Sequence, residues 1–234
     1  MLNDDKFGNI SRLEKLVKYP QMHSNMILPN ESILHSLPTN KIGEKELYWF
    51  EAIISITRML EISYSRLFDL IITNEQNIAT ESLNIESWNI IDNFNRLYCI
   101  LSRCPRIKKK SPWIKLILND LKEVENARHF IQHYDREIDN LHAQTLPPLG
   151  YLCYAIKIDT KKIQTRTVVP GYVRKYSLQT INPVGKDFKM DIDLITYFIG
   201  NHTIQLSKLL YKTQEFVKEL ENFIKKEYLE KNTS

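Results

Sequence analysis

DIDLITYFIGNHTIQLSKLLYKTQEFVKELENFIKKEY, residues 191–228, is the stretch on which the fold turns. It lacks proline, and its single glycine is Gly200. Its leucines, isoleucines and phenylalanines recur at helix-like steps, which predicts a long helix opening near Asp191 or Asp193, with Gly200 as a kink. On that reading it is the fourth long helix of the chain.

The same punctuation marks the other three. Neither Gly nor Pro occurs from Glu44 to Cys104 or from Trp113 to Leu146. In KELYWFEAIISITRMLEISYSRLFDLII, Leu47, Phe50, Ile54, Met59, Ile62, Leu67 and Leu70 fall near helical spacing. The polar break TNEQNIATES separates this helix from a second, NIESWNIIDNFNRLYCILSRC, which Pro105 stops. Ser111-Pro112, a serine before a proline suited to a first turn, opens a third helix that runs from Trp113 through Gln144. Between the third and fourth helices YLCYAIKIDTKKIQTRTVVPGYVRKYSLQ is rich in Tyr, Ile, Val and Thr and alternates at Leu152, Tyr154, Ile156 and Ile158.

The expected architecture is therefore mainly α. It is a four-to-five-helix bundle, residues 44–234, with a small antiparallel β insertion at about 150–180 between the third and fourth long helices. Residues 1–43, with Pro20, Pro29 and Pro38, read as a short helix followed by an extended segment that wraps the core.

Composition bounds the function. With 234 residues and 43% hydrophobic content the chain can bury a core. A net charge of +4 from 32 basic and 28 acidic side chains is too balanced to indicate nucleic-acid binding without a local patch. The start, MLNDDKFGNI, reads as neither signal peptide nor anchor, and no stretch is apolar over the length of a membrane span. Cys99, Cys104 and Cys153 are odd in number and lack metal-ligand spacing, which fits reduced thiols in a cytoplasmic protein. Without a Gly-rich phosphate loop or a nucleophile elbow, nucleotide-triphosphate chemistry is disfavoured, and no cofactor is expected.

The candidate chemistry lies in ENARHFIQHYDREID, residues 125–139. Along the third helix Ile114, Ile117, Leu121, Val124, Arg128, Ile131, Asp135 and Ile138 form a seam with alternating steps of three and four. Arg128 and Asp135 interrupt it and call for partners, since an unpaired buried charge costs several kcal/mol in order of magnitude. His129 and His133 share a face one turn apart, flanked by Glu125 and Glu137. Two imidazoles at that spacing could ligate a transition metal, but the glutamate of H-E-x-x-H is missing and solvated histidines are the ordinary case, so no metal is assigned.

Arg128-His129-Phe130-Ile131-Gln132-His133 has the form R-x4-H with a polar residue directly after the arginine, on a long helix of a helical protein. It resembles the motif of the HEPN superfamily, whose ribonuclease members cleave RNA without metal and usually as dimers. The resemblance spans Glu44 to Gln144 and the last helix, leaving the β insertion outside. It implies that His133 is the general acid or base, that Arg128 is the phosphate-stabilising cation, and that His129 holds the polar position. It also implies an RNA substrate and a homodimer.

RNA cleavage by the 2′-hydroxyl needs a base, an acid and positive charge near the phosphorane, chemistry suited to imidazoles and a guanidinium. On an ideal helix, however, Arg128 and His133 point about 140° apart. The helix must distort or a second subunit must complete the site. Arg103, Arg106, Lys108, Lys109 and Lys110, between the second and third helices, form the densest basic cluster and are the expected RNA-backbone contacts. The rival reading is a non-catalytic binding or scaffold protein, with an unidentified protein partner, in which Arg128 and Asp135 belong to a structural polar network.

Overall fold

The computed structural model describes residues 27–73, 80–105, 107, 111–158, 162–171 and 175–230. These residues form five α-helices and a four-stranded antiparallel sheet. The short helix expected before Pro20, and Arg106, Lys108, Lys109 and Lys110 of the basic cluster, lie outside the described residues.

Helix α1, Glu44–Thr73, starts where the Gly43 carbonyl accepts from the N–H groups of Glu46 and Leu47. Glu44 and Glu46 set negative charge against the helix N-terminus. Its buried line is Phe50, Ile53, Ile54, Leu60, Tyr64, Leu67, Phe68 and Ile71. Met59 and Ile62, expected inside, are 43% and 52% exposed. Phe50, Ile54 and Leu67 of the expected line are buried, whereas beside Met59 and Ile62 the interior is filled by Leu60 and by Tyr64, whose hydroxyl donates to the Leu206 carbonyl at 2.7 Å.

Helix α2, Thr80–Arg103, packs along α1, with Phe94 edge-on to Tyr64 at 6.1 Å between ring centroids. It is buried on nearly all sides, which explains why Asn84, Ser87, Asn93 and Asn95 lie inside beside Ile90, Ile91 and Leu97. Helix α3, Pro112–Gln132, follows, with Ser111 at its cap position and Pro112 in its first turn. It buries Ile114, Ile117, Leu121, Val124 and Ala127.

The expected single third helix divides. At His133 the backbone has φ −117 and ψ 23, and α4, Tyr134–Ala143, begins beyond it. The His133 N–H is shared between the carbonyls of His129 and Phe130, both at 3.2 Å. The apolar face that runs through Ala127 on α3 has little continuation in α4, where Leu141 is buried and Ile138 is 44% exposed.

The four strands are β1, Tyr151–Lys157; β2, Ile163–Val168; β3, Ile192–Ile199; and β4, His202–Gln205. Their order across the sheet is β2-β1-β3-β4. This corrects the reading of residues 191–205: they are a β-hairpin, the sheet extends beyond residue 180, and the last helix, α5, spans Leu206–Ile224. Ile199 and His202 pair across the two-residue turn Gly200-Asn201. Gly200 has φ +53, the left-handed value that a type II′ hairpin turn requires at its first central position.

A bulge in β3 falls opposite Cys153–Ala155. Leu194 takes φ +54 there, and the displaced N–H groups are satisfied by side chains: Leu194 donates to Asp193 Oδ1 at 2.6 Å and Ile195 to Ser207 Oγ at 2.9 Å. The Asp193 carboxylate also accepts from Tyr211 Oη at 2.6 Å, which, after burial, pushes the Tyr211 hydroxyl far above its ordinary range.

One sheet face, carrying Leu152, Tyr154, Ile156, Ile195, Tyr197 and Ile204, joins the helices in the main core. On the other face Tyr151, Cys153 and Phe198 form a satellite cluster with Val169 and Ile181. No helix among the described residues is long and apolar enough to cross a membrane.

Candidate functional site

The break at His133 shapes the polar surface at the end of α3. His129 and His133 meet there edge to face, their ring centroids 4.6 Å apart at 63°. His129 is exposed and His133 half-buried. They line an open cleft of about 650 Å³ together with Arg136 and Glu137 from α4, Glu125 from α3, and His202 from the start of β4.

Arg128 goes elsewhere. Its Nε donates to Asp92 Oδ1 of α2 at 2.8 Å and its NH1 group to Gln132 Oε1 at 2.9 Å. The second Asp92 oxygen accepts from Arg96 Nε at 2.7 Å. Partial burial pushes the Asp92 carboxyl upward, but the hydrogen bonds and charges of Arg128 and Arg96 outweigh it and hold the group below the ordinary aspartate range. Arg128 therefore joins α3 to α2, outside the histidine cleft.

Two expectations of the seam are corrected with it. Ala127, not Arg128, occupies the buried position, and Asp135 is exposed on the first turn of α4, where it is not in the seam at all. The spacing that assigned Asp135 to the seam assumes one unbroken helix, and the helix is interrupted at His133.

Arg103 is exposed in the last turn of α2. The link to α3 enters at Pro112, seventeen residues before His129, which at the helical rise of about 1.5 Å per residue sets that end of α3 roughly 25 Å from the cleft. Arg103 and the two histidines thus belong to opposite ends of the helix pair.

The cleft residue missed by sequence reading is His202. Its Nδ1 lies 3.1 Å from Glu123 Oε1 of α3, and its ring meets Phe130 edge-on at 5.6 Å between centroids. Gly200 lies against the same Phe130 ring, close enough that a Cβ there would lie 2.6 Å from Cζ. The Gly-Asn dipeptide at 200–201 was the available signal: between β-branched and aromatic residues it marks a hairpin as well as a kink. A hairpin, unlike a kinked helix, delivers His202 to α3.

Among the described residues no group of three or more His, Cys, Asp or Glu side chains is placed to hold a metal ion. The chemistry the cleft offers is proton transfer by imidazole beside one guanidinium. Comparison with protein-family models, curated proteins and solved structures finds no match to the chain.

Proposed function

We propose that the chain is a HEPN-like, metal-independent endoribonuclease of the toxin or defence type, acting in the cytoplasm as a homodimer. The observation that carries the reading is the cleft itself, in which His129 and His133, from the helix end that holds the R-x4-H segment, share a lining with His202 and Arg136. His133 serves as the acid that protonates the leaving 5′-oxygen, with His129 against its ring.

The cation is reassigned. Arg128 is engaged by Asp92 and Gln132, whereas Arg136 shares the cleft with the histidines and is the guanidinium that meets the phosphate. Arg103, at the end of α2 far from the cleft, holds the RNA backbone away from the scissile bond.

The test is cleavage of a mixed RNA pool by purified protein in the presence of a chelator. His133→Ala and Arg136→Ala are expected to lose cleavage, and Arg128→Ala to keep it while unfolding at lower denaturant. Undiminished cleavage by His133→Ala refutes the mechanism.

A second reading, a non-catalytic binding protein, is favoured by the Arg128–Asp92–Arg96 network, in which Arg128 joins α3 to α2 rather than pointing into the cleft. It predicts an unaltered chain that leaves RNA intact.

A further inference from the structure

Cleavage by the 2′-hydroxyl needs two proton transfers, and His133 accounts for one. Resting on the ribonuclease reading, we infer that His202 is the general base of the cleft and Glu123 its positioning residue.

Three contacts fix the His202 ring. Its backbone is the first residue of β4, paired with Ile199. Its ring meets Phe130 in a T-shaped contact, and Gly200 of the turn lies close to the same Phe130 ring. Its Nδ1 meets Glu123 Oε1 at 3.1 Å, and a carboxylate can only accept, so Nδ1 carries the proton. In the neutral ring Nε2 then bears the lone pair, and it is left for the cleft that His202 shares with His129, His133 and Arg136. Glu123 itself lines the neighbouring groove between α3 and β4, on the far side of the ring.

A base whose tautomer is set by a carboxylate is the arrangement that proton abstraction from a hydroxyl calls for. His129 and His133 come from one helix end and from the break beside it, whereas His202 arrives from the sheet. Acid and base therefore stand on separate elements that line one cleft.

The step balances as follows. The 2′-O–H proton passes to His202 Nε2 and the 2′-oxygen bonds to phosphorus. The P–O5′ bond breaks, and the 5′-oxygen takes a proton from His133. The products are a 2′,3′-cyclic phosphate and a 5′-hydroxyl, with Arg136 beside the non-bridging oxygens.

Two substrates separate the roles: an oligoribonucleotide, and the same sequence with a 5′-sulfur at one linkage, whose leaving thiolate needs no acid. His202→Asn is expected to lower kcat about 10²- to 10³-fold on both, with KM changed less than about threefold. His133→Ala is expected to lose the first substrate and recover most of the second. For Glu123, nitrogen NMR of the imidazoles in the intact chain is expected to find His202 with its proton on Nδ1, and Glu123→Ala to move it to Nε2.

Wild-type kcat in His202→Asn, recovery of that variant by the sulfur substrate, or an Nε2 proton in the unaltered chain each overturns the assignment while leaving the ribonuclease reading in place. Absence of RNA cleavage by the unaltered chain overturns that reading, and this assignment with it.

Discussion

Replacing Gly200 by alanine puts a methyl group where the structure has almost no room. Built on the Gly200 backbone, a Cβ lies 2.6 and 2.7 Å from Cζ and Cε2 of Phe130. The backbone adds its own penalty, since φ is +53 and an L-residue in the left-handed region costs about 1–2 kcal/mol. Overpacking a fitted contact costs about 1–3 kcal/mol more. Phe130 is only half-buried and can yield in part, so the expected loss is about 2–4 kcal/mol. Urea unfolding followed by tryptophan fluorescence measures it. The two contributions separate in a Phe130→Ala background, where the clash is gone and about 1–2 kcal/mol of backbone cost should remain. A Gly200→Ala variant within about 0.5 kcal/mol of the parent, or one equally costly in both backgrounds, would refute the reasoning. The first result removes the turn strain, the second the contact through which the hairpin sets the cleft wall.

Asp92→Asn should destabilise the chain by about 0.5–1 kcal/mol at neutral pH, a figure kept small because the side chains of the Asp92–Arg128 pair are a third exposed. Because the folded Asp92 carboxyl is held low, its contribution is complete above the unfolded aspartate value near 3.9 and fades as pH falls through the folded one. Denaturant midpoints of parent and variant should therefore converge in acid; a gap that persists or widens there contradicts the ion-pair account. Tyr64→Phe removes a buried hydroxyl that donates to the Leu206 carbonyl and should cost about 1 kcal/mol in the same unfolding assay, with no measurable change meaning that the bond does not count. In the native protein a thiol reagent should modify Cys99 first, because Cys104 and Cys153 are buried and burial raises the Cys153 thiol despite its bond to Thr167. Cys153 reacting as fast as Cys99 would mean that the satellite cluster opens without unfolding.

The helices before residue 132 were legible because Gly and Pro are absent from them and their apolar spacing is regular. The exceptions are local. Met59 and Ile62 satisfied the spacing yet lie outside, since periodicity locates a face only to within a residue either way, and Leu60 and Tyr64 fill the interior beside them. Residues 192–205 were misread for a different reason. LITYFI is apolar on both sides because β3 is an inner strand whose two faces meet the main core and the satellite cluster. A strand of that kind loses its alternation and looks like part of a helix.

At the candidate site the sequence identified His129 and His133 as neighbours, which they are, and Arg128 as a charge in search of a partner, which it found in Asp92. It could not place Asp135, which lies beyond the helix break at His133, or His202, which is 69 residues beyond His133 and reaches the cleft only through strand pairing. Contacts of that sequence separation leave no periodic trace.

The joint at His133 divides the cleft into two walls of unequal support. Helix α4 buries Leu141, while Arg136, Ile138, Asp139 and Asn140 face solvent, so little ties it down compared with α3 and β4. Segments with so few buried contacts open at a small fraction of the global unfolding free energy, and their amides exchange early. One wall of the cleft, with His129, Phe130 and His202, is built on α3 and β4; the other, with Arg136 and Glu137, is built on α4. The amides of α4 should therefore exchange with solvent before those of α3 and β4.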